Sequence, residues 1–427
     1  MRSKLKATVV QRNSKPALVP KRRFPEFRNS EGWAKKLLAP YLEDCSGRVP
    51  SDTELPIYSS TREGLKRQDM YFDGRVLQNN NEYGAVPPGC FVYRHMSDDG
   101  LFKFNINETG GDIAVSKEYP VFRTKGLNSH FLLSKLNDGI EFKEFSLSQK
   151  AGGTRTRLYF SRLREWRTPL PAPAEQQKIA DCLSSVDELI TAQARKVDAL
   201  KTHKKGLMQQ LFPREGETQP RLRFPKFQNT EGWHSESIGS IFETSSGGTP
   251  DRSKSEYWGG NTPWITTSLV GFSVITKADE YISDAGLKSS SAKLFPEKTI
   301  LVAMYGQGKT RGQVAMLGIK AATNQACAAI LPRKEIDPRF VFLNLGNRYE
   351  EMRRLSNSGG QENLSQGLIR ALQFPYPIDI NEQTAIATCL TALDDLISAQ
   401  IQRLEALKTH KKGLMQQLFP SAEEVEG

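Results

Sequence analysis

The chain has 427 residues, 38% of them hydrophobic and 25% charged, with a mean hydropathy of −0.51. That length exceeds one ordinary core and predicts two or three domains, while no run of eighteen apolar residues is present to span a bilayer. The five cysteines are dispersed without a CxxC pair and the five histidines stand apart from them, which argues against a disulfide framework or a structural zinc and predicts a reducing, cytoplasmic setting with no membrane partner.

Residues 1–22 read as a basic tail. They supply Arg2, Lys4, Lys6, Arg12, Lys15, Lys21 and Arg22 without an acid, and they lack the apolar core of a signal peptide. The formal net charge is +11, and most of it resides in this tail, so charge alone is compatible with a solvated extension as well as with a polyanionic partner.

A first lobe is expected over 23–170. It opens with RFPEFRNSEGW at 23–33 and carries SGRVP at 46–50, PPGCFVYRH at 87–95, a short helix NSHFLLSKLN at 128–137 and a glycine loop AGGTRTRLYFS at 151–161. A long helix follows within 171–213, entered after Pro173 and stopped by Pro213. Ile179, Leu183, Val186, Ile190, Gln193, Val197, Leu200, Lys204, Leu207 and Leu211 are spaced alternately by four and three, a heptad seam. At 1.5 Å per residue, such a rod is roughly 55–60 Å long.

The rest of the chain repeats this plan. RFPKFQNTEGW at 223–233 returns the lead-in, and a second lobe is expected within 214–377. It reads as short strands with turns: SGGTP at 246–250, FPEKTILVAMY at 295–305, TNQACAAILP at 323–332, a helix at 338–355 and the glycine loop SNSGGQENLSQ at 356–366. A second helix within 378–420 matches the first at 26 of 39 positions, and LKTHKKGLMQQLFP recurs unchanged at 200–213 and 407–420. Its seam is Ile386, Leu390, Leu393, Ile397, Gln400, Leu404, Leu407, Lys411, Leu414 and Leu418. Residues 421–427 are expected to be a C-terminal tail.

The predicted fold is therefore α+β, with two unlike mixed lobes separated by a two-helix antiparallel coiled-coil rod. Reversing one helix brings Gln193 and Gln400 near each other, as a register lock or as a tolerated polar pair. The third copy of the lead-in is the chain's own start, so the organisation is circular and pseudo-twofold.

These features resemble the specificity subunit of type I restriction–modification enzymes. The resemblance lies in the paired helices ending LKTHKKGLMQQLFP, the RFPEF and RFPKF lead-ins, and the GGTP, YWGG, PWIT, NQA and GGQEN elements of the second lobe. It implies two target-recognition domains, each reading half of a bipartite site in double-stranded DNA. It also implies helices that dock two methyltransferase subunits, and restriction/translocase subunits joined through the complex. S-adenosylmethionine, ATP and Mg²⁺ are then expected on the partners, and no cofactor on this chain. The first lobe departs more from the pattern, since SGRVP replaces GGTP and SKEYPVF at 116–122 replaces NQACAAI. The reading from a different class is a non-enzymatic scaffold that joins protein partners along the rod.

No catalytic constellation is legible. Gly306–Thr310 ends like a phosphate loop but has Ala303 where the first glycine belongs. Asp138, Glu141 and Lys143 imitate a nuclease triad with the acids too close together, and no [DNS]PP[YF] tetrapeptide occurs. For DNA contact the candidates are polar and cationic loop residues. In the second lobe they are Ser246, Thr249, Tyr305, Lys309, Arg311, Asn324, Gln325 and Gln361. In the first they are Arg48, Lys66, Arg67, Arg155, Arg157 and Arg162, with Arg164 and Arg167 in the same basic stretch.

Overall fold

The computed structural model describes residues 18–71, 82–150, 155–306, 309–357 and 363–420. Two compact units emerge, one of residues 1–194 with 402–427, the other of 195–401. Both divisions fall inside a long helix, Pro173–Leu211 or Ile380–Leu418. Each unit thus holds one lobe, the N-terminal half of one long helix and the C-terminal half of the other; the two helices do not form a body of their own.

Within the first unit, Ala34–Leu37 opens the lobe and pairs antiparallel with Arg167–Leu170, which closes it. Between them lies a four-stranded antiparallel sheet in the order Leu42–Asp44, Val121–Thr124, Phe91–Tyr93, Phe104–Ile106. Two short helices, Ser129–Asp138 and Ile140–Ser148, follow the sheet. The second unit repeats the plan. His234–Ser237 pairs with Gln373–Tyr376, and the sheet runs Thr244–Ser246, Cys327–Ile330, Ile300–Ala303, Val314–Leu317, with Val274–Ile275 added as a parallel edge. Its helix pair is Pro338–Asn347 and Tyr349–Asn357, where the sequence suggests one helix over 338–355. Leaving the added edge strand Val274–Ile275 aside, the four strands common to both sheets read 1-4-2-3 in chain order, so lobes with little sequence in common share this topology. Each lobe adds a smaller sheet, and here they differ. SGRVP contributes the strand Gly47–Pro50 to a three-stranded sheet, whereas GGTP is a loop. The equivalence drawn between those two segments holds only for the strand that precedes them.

The repeated sequence performs the same task in each unit. Arg23 grips Glu175, at the start of the first long helix, with Nε at 2.8 Å and Nη2 at 2.6 Å; Arg223 grips Glu382 at the start of the second with the same distances. The neighbouring glutamines of those helices hold the short helices: Asn128 N–H donates to Gln176 at 3.0 Å, Asp337 N–H to Gln383 at 2.8 Å. Asn128 and Asp337 then cap the short helices with their side chains. An aromatic cluster completes each core. Phe131 lies between Trp33 and Phe419 (centroids 5.9 and 5.5 Å), and Phe340 between Trp233 and Phe212 (5.6 and 5.5 Å). Phe212 and Phe419 are the same residue of the LFP repeat.

The C-terminal half of the second long helix also meets the described start of the chain. Arg22 N–H donates to the Gln417 carbonyl at 2.9 Å. Leu222 N–H bonds the Gln210 carbonyl at 3.0 Å at the matching place in the second unit.

Along both long helices the seam positions are buried or half-buried, from Ile179 to Leu211 and from Ile386 to Leu418, while Lys201, Thr202, His203, Lys205 and their copies Lys408, Thr409, His410, Lys412 face solvent. The apolar stripe explains why helices this long persist: burial of one face sustains a helix that propensity alone would leave marginal. No helix among the described residues is long and apolar enough to cross a membrane.

Candidate nucleic-acid interface

One end of the five-stranded sheet gathers the second lobe's candidates. Strand Thr244–Ser246 leaves the sheet there, Ile300–Ala303 leaves beside it, and Cys327–Ile330 and Val314–Leu317 enter from it. The connecting loops therefore converge. Ser246 ends its strand there, and Thr249, Tyr305, Lys309, Arg311, Asn324 and Gln325 lie on the loops; Gln361 lies outside the described residues.

Glycines make the convergence possible. Gly248 N–H donates to the Thr323 carbonyl at 2.8 Å, and a Cβ on Gly247 would come within 2.0 Å of that same oxygen. A Cβ on Gly248 would meet Ser291 Oγ at 2.3 Å. Only a chain without side chains at these positions fits between the NQA loop and the second sheet. Trp264 fixes the arrangement from below, donating Nε1–H to the Gly248 carbonyl at 2.9 Å. It is buried and packs edge-to-face at 5.1 Å on the half-buried Trp258, so Trp264 is a core residue and Trp258 covers it. As a result the Thr249 hydroxyl donates to the exposed Gln325 side chain, and Asn324 Oδ1 accepts from Ala326 N–H at 3.2 Å.

The Tyr305 loop is held by neighbours on either side. Met304 N–H bonds the Ala326 carbonyl at 2.8 Å, and Leu364 N–H bonds the Met304 carbonyl at 3.1 Å. Tyr349 donates its hydroxyl to the Lys309 carbonyl. Tyr305 itself is 43% exposed and Lys309 is exposed. The face thus combines amide, hydroxyl, aromatic and cationic groups on a fixed frame, which is the chemistry that base edges and phosphates require.

In the first lobe the candidates are spread out. The corresponding sheet end is formed by Cys45–Ser46, residues 94–103 and Lys117–Pro120. Arg155 and Arg157 reach it: Arg157 is paired with Met96, and Arg155 Nε bonds Asp98 at 2.8 Å. Arg48 is exposed on the smaller sheet. Lys66 and Arg67 are on the hairpin Tyr58–Arg67, where Arg67 pairs with Asp69 at 3.0 Å. Arg162 pairs with Glu165 at 2.7 Å on a separate helical turn, which also carries the exposed Arg164; Arg167 begins the closing strand.

Arg94 is the residue that sequence reasoning missed. It is exposed directly after Phe91–Tyr93, at the position that Met304–Tyr305 hold in the second lobe. Burial raises the Tyr119 hydroxyl's pKa, and the charge of Arg94 opposes that rise. The alignment of PPGCFVYRH with FPEKTILVAMY already contained this signal. Arg62, bonded to both oxygens of Asp99 at 2.7 Å, also reaches this end.

The two acids that imitate a nuclease site are engaged in ion pairs and hydrogen bonds. Asp138 pairs with Lys411 at 2.7 Å, and Glu141 accepts from the buried Lys135 at 3.3 Å and from Thr168 at 2.9 Å. Among the described residues no group of three or more His, Cys, Asp or Glu side chains is arranged to hold a metal.

The family described as "Type I restriction modification DNA specificity domain" matches residues 98–202 and 230–409. The chain is 25% identical to the EcoR124I/EcoR124II specificity subunit of Escherichia coli over 59% of its own length and 61% of that protein. It is 24% identical to the putative MjaX specificity subunit of Methanocaldococcus jannaschii over 77% of its length and 79% of that protein. The chain therefore spans less than two thirds of the first of these relatives. The S subunit of a type I restriction–modification system from M. genitalium superposes with a TM-score of 0.58 at 16% identity, covering 95% of this chain and all (100%) of that one. A chain from a second type I system gives 0.56 at 15% identity, covering 91% of this chain and 98% of that one. With the family matched in both lobes and across most of both long helices, the chain belongs to the type I restriction–modification specificity subunits.

Proposed function

We propose that this protein reads DNA for a type I restriction–modification complex, each lobe recognising one half of a bipartite, asymmetric target. The observation that carries this reading is the convergence of Ser246, Thr249, Tyr305, Lys309, Arg311, Asn324 and Gln325 on one sheet end. The same topology in the first lobe presents Arg94, Arg155 and Arg157. Asn and Gln amides suit adenine, and Arg or Lys suit guanine or phosphate.

The two long helices pair antiparallel as a rod, with Gln193 and Gln400 setting its register, and the chain closes on itself as a pseudo-twofold molecule. The rod holds the half-sites at a fixed distance and docks two methyltransferase subunits, through which restriction subunits join. Methyl transfer, ATP use and Mg²⁺ chemistry reside on those partners in the cytoplasm, and this chain contributes recognition alone. Two half-sites one helical turn apart are separated by about 34 Å, within the length of the helices.

Mapping methylated adenines tests this reading. Exchanging residues 34–170 for another member's first lobe should alter one half-site only. Inserting four residues into each helix adds about 6 Å, so the half-sites should persist while the gap between them grows by one or two base pairs. An unchanged gap at full activity would overturn the spacing role.

A further inference from the structure

Phe272 is out of keeping with its surroundings. It is 42% exposed, and its φ of +56° lies in the left-handed region that bulky residues rarely adopt. The conformation is not imposed by a missing alternative: Gly271 stands beside it in open space and takes no left-handed φ. Outliers of this kind cluster where the surrounding structure holds a side chain out for use.

The surroundings do hold it. Phe272 N–H donates to the Val314 carbonyl at 2.8 Å, and Met316 N–H donates to the Ser273 carbonyl at 3.1 Å, locking the backbone to the sheet. Tyr349 supports the ring edge-to-face at 5.2 Å, and its hydroxyl bonds the Lys309 carbonyl and accepts from Arg353 at 2.8 Å. Val314 begins its strand at the sheet end where the candidate interface lies, so Phe272 stands on the same rim as Lys309 and Arg311.

We propose that Phe272 is a stacking wedge, inserted against a base step at the edge of the second lobe's half-site. An apolar ring held rigidly beside cations can unstack a flexible step and fill the space, so that readout extends to a step with no hydrogen bond to the protein. Tyr349 is its positioning residue. This inference rests on the second lobe reading DNA, as proposed above.

The test uses the full chain assembled with its methyltransferase subunits. The probe is the duplex it selects from a randomised pool, with 2-aminopurine placed at each step of the second half-site in turn. Wild type should raise the fluorescence at one edge step. Phe272→Ala should abolish that rise and weaken binding about ten-fold or more, in line with the loss of one base–aromatic stack. Phe272→Trp should preserve both. If Phe272→Ala keeps the rise and the affinity, the wedge is overturned while recognition stands. If it weakens both half-sites equally and lowers the melting temperature, the ring only packs the lobe and the wedge is again overturned. Failure of the wild type to select any duplex would instead refute the recognition role on which the wedge rests.

Discussion

The Lys204 ammonium lies 2.6 Å from the Asp394 carboxylate, and Lys411 lies 2.9 Å from Asp187. These are the same two positions of the repeated helix with the roles exchanged, one pair in each compact unit. A lysine at an apolar seam position is thereby accommodated: its stem covers the stripe while its charge reaches an acid on the partner helix. The carboxylates are 46% and 50% exposed, so each pair should contribute about 1 kcal/mol or less. A double-mutant cycle of Lys204→Met and Asp394→Asn, read by denaturant unfolding, measures the coupling directly.

Lys411 also determines a pH response. Burial opposes its charge, but Asp138 and Asp187 outweigh that effect and its pKa is raised. A raised lysine stabilises the fold below the pKa of the unfolded side chain, and the contribution is lost as pH climbs through the higher folded value. Lys411→Met should therefore remove part of the stability at pH 8 and flatten the decline above about pH 10, as melting curves across that range would show.

Breaking the Arg23–Glu175 clamp should be far costlier. Both side chains are nearly inaccessible, at 4% and 2% exposure, and Arg23 also holds the carbonyls of Ser30 and Glu31. Glu175→Ala leaves a buried guanidinium without its counter-charge, and a loss of about 3–5 kcal/mol is expected. Glu382→Ala should cost a similar amount, since it releases both Arg223 and the Trp233 indole N–H, now 3.2 Å from the carboxylate. Unfolding of each variant monitored by tryptophan fluorescence tests the prediction.

The buried thiols predict a different alkaline effect. Burial pushes the pKa values of Cys90 and Cys327 up to about 12. Between pH 9 and 12 the unfolded chain loses these protons while the folded one keeps them, so stability falls as pH rises. Cys327→Ala should reduce that slope. Alkylation at pH 8 followed by mass mapping should modify half-buried Cys182 and Cys389 well before Cys327.

Gly247 offers a test of the interface that leaves its polar residues in place. A methyl group there collides with the Thr323 backbone, and overpacking of this kind costs about 1–3 kcal/mol. Gly247→Ala should displace Thr249 from Gln325 and relax the second half-site, whereas Gln325→Ala should weaken discrimination there by about 1–3 kcal/mol with the first half-site intact. Binding measured against duplexes altered in one half-site at a time distinguishes the two effects.

The sequence by itself determined the repeated plan. A 14-residue identity and a seam of alternating threes and fours are local, periodic signals, and they located both long helices within a residue or two. The equivalent seats of Phe419 in the first unit and Phe212 in the second, each against a short-helix phenylalanine, came from the structure. The Gly247–Gly248 pair is legible in the sequence as a turn with positive φ, but neither residue takes a left-handed φ; what their positions require is close approach to Thr323 and Ser291, which only the structure shows.

Only the tertiary structure decided which cations belong together. Arg48, Lys66, Arg155 and Arg162 look alike in a sequence, yet their directions depend on strand register and on which acid lies within reach. Arg94 comes to the same sheet end as the candidate residues because the strand before it occupies the third place in a 1-4-2-3 sheet, an arrangement set by long-range pairing. The left-handed Phe272 is likewise invisible beforehand, since a backbone angle forced by the hydrogen bond to Val314 and the ring of Tyr349 leaves no mark on the residues around it.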